Sequence, residues 1–198
     1  MKTKLAMVTL LTAGLLVGCS SKPNEATSVS EGDVVQEVVK VSSEPTPLSD
    51  EWYEKYSELI SNYYLTDLNA PYYDELNSLH SVLVFPVSEA IVQYEQYGVF
   101  DDDLFGYTTD ADDLVILEVV TPDEGKEINA LIETVGDYYM EYYNGKYGGD
   151  CDADTFITNL KNIEADVAYW GTELNERVTA IDNELLIEFV ENGGLYER

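Results

Sequence analysis

The chain has little positive charge, little sulfur and almost no imidazole. Of its 198 residues, Lys and Arg together number 10 against 39 Asp and Glu, a formal net charge of -29. From Leu48 onward the only bases are Lys55, Lys126, Lys146, Lys161, Arg177 and Arg198. That balance excludes nucleic-acid binding through a basic patch, because neutralising phosphates takes clustered Lys and Arg. It disfavours direct contact with anionic lipid for the same reason. The single histidine, His80, rules out a zinc or iron site built mainly of imidazole. A Ser-His-Asp or Cys-His mechanism would have to use His80, and nothing in Leu79-His80-Ser81 marks a nucleophile for it. The sequence carries no phosphate-binding glycine loop, no nucleophile elbow and no internal repeat. Acids are so numerous that no pair of carboxylates stands out for glycoside cleavage.

What is there begins at the amino terminus. Met1-Lys2-Thr3-Lys4 carries two positive charges, and Leu5 to Val17 is apolar except for Thr9, Thr12 and Gly14. The run is too short to span a bilayer, which takes about 20 apolar residues. A charged head, a short apolar stretch and small residues before a cut form the pattern of a secretory signal peptide. Its ending, Leu16-Val17-Gly18-Cys19, resembles the lipobox of bacterial lipoproteins. The resemblance implies cleavage before Cys19, lipidation of its thiol and acylation of the new amino terminus. Two or three acyl chains anchor a protein stably where one does not. By the sorting rule of such lipoproteins, Ser20 directs the protein to the outer membrane of a two-membrane host. In a one-membrane host the same anchor places it on the outer face of the plasma membrane. Cys151 is then the only other cysteine, so no intramolecular disulfide forms. Its acidic neighbours Asp150 and Asp152 make it a quiet thiol.

Residues 1–18 thus read as the signal, 19–47 as a lipidated cysteine with a flexible tether, and 48–198 as a single domain. Ser20 to Pro47 is rich in Ser, Glu, Val, Thr and Pro, with no aromatics. As a random coil of about 28 residues it would span roughly 30 Å. Loss of Lys2 and Lys4 leaves 10 − 2 = 8 bases against 39 acids, or −31. Such a surface is well solvated in a salty environment, and it attracts metal ions, cationic peptides or a basic protein.

The domain reads as all-α: an antiparallel bundle of about four long helices, with an irregular acidic loop and one extra short helix. Ser49-Asp50-Glu51 caps a first helix with Trp52, Tyr56, Leu59, Ile60 and Tyr63 on one stripe. A second stretch starts near Pro71 with Leu76, Leu79, Leu83, then Ile91, Tyr94 and Tyr97 on its stripe; Pro86 should kink or split it. Gly98 to Asp113 reads as loop, and Leu114 to Val120 as a short buried helix. Thr121-Pro122-Asp123-Glu124 is a capping-box start for a third helix running to about Asn144. The last helix is the clearest, with Phe156, Leu160, Ile163, Val167, Trp170, Leu174, Val178, Ile181 and Leu185 at steps of three and four. Asp154 or Thr155 is placed to cap it, and Asn192-Gly193-Gly194 to close it. Its long seam is either intramolecular or shared with a second copy in a homodimer.

Two constellations are candidates for function. Asp101 to Asp112 resembles an EF-hand calcium loop, with Asp101, Asp103, Gly106 and Asp112 at its first, third, sixth and twelfth positions. Phe105 stands where an oxygen ligand belongs, and Asp112 is shorter than the usual glutamate. Calcium is the one cofactor this pattern admits. Asp150, Asp152 and Asp154 alternate in the same way, but helix capping accounts for them. The second constellation is aromatic: of 16 tyrosines, Tyr138, Tyr139, Tyr142 and Tyr143 make one broad patch on the third helix, suited either to a binding face or to the edge of the core. The leading expectation is a non-enzymatic, membrane-anchored envelope lipoprotein that binds a partner in the envelope or outside the cell, with a cationic peptide or protein as one candidate and a second copy of the chain as another. The alternatives are a calcium-binding or calcium-sensing lipoprotein, and an enzyme of unknown type.

Overall fold

The last helix organises everything else. In the computed structural model, which describes residues 44–148 and 151–195, the seam from Phe156 onward lies within one helix of 39 residues, Ala153–Glu191. At 1.5 Å per residue it is about 58 Å long. Asp152, one of the alternating acids read as helix caps, caps it by accepting a hydrogen bond from Thr155 N at 2.9 Å; Asp154 and Thr155 lie inside the helix. It closes through Gly193, at φ 66°, with Gly194 N donating to Phe189 O and Gly193 N to Val190 O. That pair of bonds satisfies carbonyls the helix leaves orphaned, and only a left-handed residue permits it.

Numbered in chain order, the elements are α1 (Asp50–Lys55), α2 (Ser57–Tyr63), α3 (Ala70–Leu79), a π-helical turn (His80–Val84), α4 (Phe85–Tyr97), a 3₁₀ turn (Asp102–Phe105), α5 (Asp112–Ile116), α6 (Pro122–Lys146) and α7 (Ala153–Glu191). The described residues form an all-α fold with no strand. The chain divides between Ser42 and Ser43, and the described residues belong to the second unit. Glu44 to Pro47, the end of the stretch read as tether, lie against α1: Glu44 accepts from Lys55 and Tyr56, while Pro45 and Pro47 border a groove with Trp52 and Val190. Cys19, the signal and the rest of the tether lie outside the described residues.

Three core clusters stack along α7. Near its C-terminal end Trp52 and Tyr63 pack on Leu186, Phe189 and Val190. In the middle Leu76, Leu79, Leu114 and Ile128 surround Trp170, Leu174 and Val178. Near its N-terminal end Leu83, Val87, Ile91 and Val135 meet Phe156, Ile157, Leu160 and Val167. Residues 50–97 therefore run antiparallel to α7 and lie end to end along it, while α6 turns back antiparallel through the short connection before α7. Of the seam, Phe156, Leu160, Val167, Trp170, Leu174 and Val178 are buried within the chain, and Ile163, Ile181 and Leu185 are half-buried.

The breaks have local causes. The helix read over Ser49 to Tyr63 is interrupted at Tyr56, whose φ of -107° is not helical. Pro86 has no N–H and its ring crowds the preceding turn. The chain answers with one wider turn, in which Phe85 N donates to His80 O, five residues back. Beside that turn, a Cβ on Gly171 would come within 3.0 Å of Val84, so α7 needs glycine there despite its poor helix propensity. The short helix of the acidic region starts earlier than its apolar residues suggest: α5 ends at Ile116, and Leu117 to Val120 form a turn through Glu118 at φ 59°. A Cβ on Gly125 would meet Val115 Cγ2 at 2.5 Å, so α5 sits directly on α6.

Candidate functional site

The C-terminal end of α6, the end of α4 and the start of α7 meet in an aromatic cluster. Phe105 stacks on Tyr139 with centroids 5.2 Å apart, and Tyr142 stacks on Phe156 at 5.1 Å. Phe100 lies against both Tyr142 and Phe156. Tyr142 Oη donates to Asp102 at 3.2 Å, and the same carboxylate is ion-paired to Lys146. Burial, reinforced by Asp102, pushes the Tyr139 and Tyr142 hydroxyls up from their ordinary pKa. Tyr94 Oη donates to Asp154 at 2.6 Å, which raises its pKa as well. Here the acidic loop and the tyrosine patch converge: a cleft of about 440 Å³ is bordered by Val99, Phe100, Asp101, Asp103, Tyr142 and Lys146.

The convergence divides the expected tyrosine face. Tyr138, Tyr139 and Tyr142 are half-buried against the core, and Tyr143 alone of the four is exposed, packed on Tyr147 at 5.1 Å. Adjacent helical positions point about 100° apart, so the core edge takes three of the four and solvent takes the last.

In the expected calcium loop, Asp101 and Asp112 make hydrogen bonds within the chain. Asp101 caps the 3₁₀ turn, accepting from Asp103 N at 3.0 Å. Asp112 starts α5 and accepts from Asn129 Nδ2 at 3.2 Å, while Asn129 Oδ1 takes the Ala111 N–H at 2.7 Å. Phe105 is drawn into the aromatic cluster between the two ends. Asp101, Asp103 and Asp112 therefore do not converge, and no group of three or more Asp, Glu, His or Cys among the described residues is placed to hold a metal ion. Gln93 and Asn129, which fix the ends of this loop, carry no sequence signature, since they accept from backbone groups 8 and 18 residues away rather than at a capping or turn spacing.

The other polar groups tie helices together. Asp182 on α7 accepts from Tyr63 Oη at 2.7 Å, Asn69 Nδ2 at 2.8 Å and Tyr73 Oη at 3.3 Å. Burial and then Asp182 push the Tyr63 hydroxyl far above its ordinary range. Arg177 grips Glu124 with two bonds of 2.9 and 3.0 Å, bonds Glu173 at 2.9 Å and reaches Val119 O at 3.2 Å. Glu124 also closes the capping box at Thr121, and the Arg177 guanidinium holds its carboxyl down at about 2. His80 opens the π-helical turn, and its buried Nε2 has no hydrogen-bond partner among the described residues. Burial, then Glu141 and Asp152, push the Cys151 thiol up.

All five bases among the described residues are engaged in this way: Lys55 with Glu44, Lys126 with Asp123, Lys146 with Asp102, Lys161 with Glu95, and Arg177 with Glu124 and Glu173. The groove between α6 and α7, about 480 Å³, has none of them. Leu131 and Trp170 form its floor, Ala130 and the exposed Tyr169 its sides, and Glu127 and Asp166 its rim. Comparison with protein-family models, with curated proteins and with solved structures finds no match to this chain.

Proposed function

We propose that the protein is a membrane-anchored cell-envelope lipoprotein whose helical unit binds a basic protein partner and performs no catalysis. The observation that carries this reading is the fate of the bases. Every one among the described residues is held by a carboxylate of the same chain, so most of the acids face solvent uncompensated. Opposite charge speeds encounter and selects partners, and it suppresses like-charged ones, including a second copy. Anchorage through Cys19, by its likeness to a lipobox, supplies the place of action. The test is cross-linking in intact cells followed by purification of the full-length protein. A reproducible partner of basic isoelectric point, absent from a control lipoprotein of matched charge, supports the reading. Capture no different from that control sinks it.

A further inference from the structure

The groove between α6 and α7 carries an inference that rests on this reading and specifies its contact. We infer that it docks an amphipathic basic segment of the partner, taken up as a helix. On α6, Glu127, Ala130 and Leu131 recur on one face; on α7, Asp166, Tyr169 and Trp170 do the same. Each set follows helical spacing over little more than one turn, so the two stripes run side by side and leave a short trough between them. A helix laid in that trough buries an apolar face on the half-buried Leu131 and the ring of Tyr169, which is 55% exposed in the free chain, above the buried Trp170. Ala130 lets the incoming backbone approach closely. The carboxylates of Glu127 and Asp166 flank the floor and have no basic partner among the described residues, so they match Lys or Arg on the polar sides of the segment. Tyr169 adds a face for a cation beside them. The cleft at the aromatic end differs here: Lys146 already occupies its Asp102 carboxylate. A second copy of the chain is the wrong occupant, because each copy brings the same negative charge.

The probe is a labelled synthetic peptide of Leu and Lys patterned as an amphipathic helix, with a scrambled peptide of the same composition beside it. Both are titrated against the full-length anchored protein in detergent. The wild type should bind the patterned peptide at least tenfold more tightly than the scrambled one. Ala130→Arg, which fills the trough from an exposed helical site, should remove that preference. Glu127→Gln with Asp166→Asn should weaken binding about tenfold, while Glu58→Gln with Glu184→Gln, the same change in charge elsewhere, should not. Equal weakening by the two double variants, or equal affinity for the two peptides, overturns the groove and leaves a diffuse acidic contact, with the proposed function intact. Absence of binding to either peptide overturns the groove and counts against a basic partner as well.

Discussion

At the scale of single residues, the acid excess is put to structural use. Glu124 serves the cap of α6 and the grip of Arg177 at once, joining the start of α6, the turn after α5 and the middle of α7. Its carboxyl, near 4.5 in the unfolded chain, is held at about 2 in the folded one. The folded state thus favours the charged form. The stability this adds is complete above pH 4.5 and disappears as the pH falls through 2. Acid titration of the melting temperature should show the wild type losing stability more steeply between pH 5 and 2 than Glu124→Gln, which is less stable at pH 7 by about 1–2 kcal/mol. Parallel curves would mean that the pair adds nothing. The capping role of Glu124 was legible, because Thr121 and Glu124 stand at the required spacing. The Arg177 contact was not, since a guanidinium far along the chain leaves no local pattern.

At the scale of elements, the strong periodicities were readable and the joints were not. The stripe on α7 and the Pro122 start of α6 are local facts of sequence. Pro86 announced a break, but the wide turn that absorbs it and the close approach of Val84 to Gly171 have no local signature. The tyrosine patch and the acidic loop were each visible; their meeting around Phe100 and Phe156 is a product of topology. Asp182 is a joint of the same hidden kind, holding α2 and the start of α3 to α7 through three donors. Tyr63, 1% exposed, has its hydroxyl satisfied there. Asp182→Ala should cost about 1–3 kcal/mol, because it removes the carboxylate that Tyr63, Asn69 and Tyr73 share and leaves the Tyr63 hydroxyl only its longer bond of 3.3 Å to the backbone carbonyl of residue 182. Hydrogen exchange should quicken first in α1 and α2, whose core is separate from the other two. Uniform quickening along α6 and α7 would show instead that the three clusters unfold as one.

At the scale of the whole molecule, charge decides how the protein answers its medium. Residues 19–198 hold 8 bases against 39 acids, −31 by sequence, and the bases among the described residues are spent on internal pairs. Self-repulsion of that size destabilises the compact state, and salt relieves it within a Debye length of about 10 Å at 0.1 M. A specific ion does something else. One bound only by the folded state adds about 2.7 kcal/mol when present at a hundred times its dissociation constant. The two effects separate in thermal melts of Ser20 to Arg198, made with Cys19 removed, in millimolar calcium and in sodium chloride of matched ionic strength. Asp101 is occupied with the 3₁₀ turn and Asp112 with Asn129, at opposite ends of the loop. The melting temperature should therefore rise equally in both salts, and Asp101→Asn with Asp103→Asn should leave that equality unchanged. A rise particular to calcium that vanished in the double variant would mean that the ion gathers carboxylates the free chain holds apart. The acidic loop, rather than the α6–α7 groove, would then be the part of the surface with a ligand of its own.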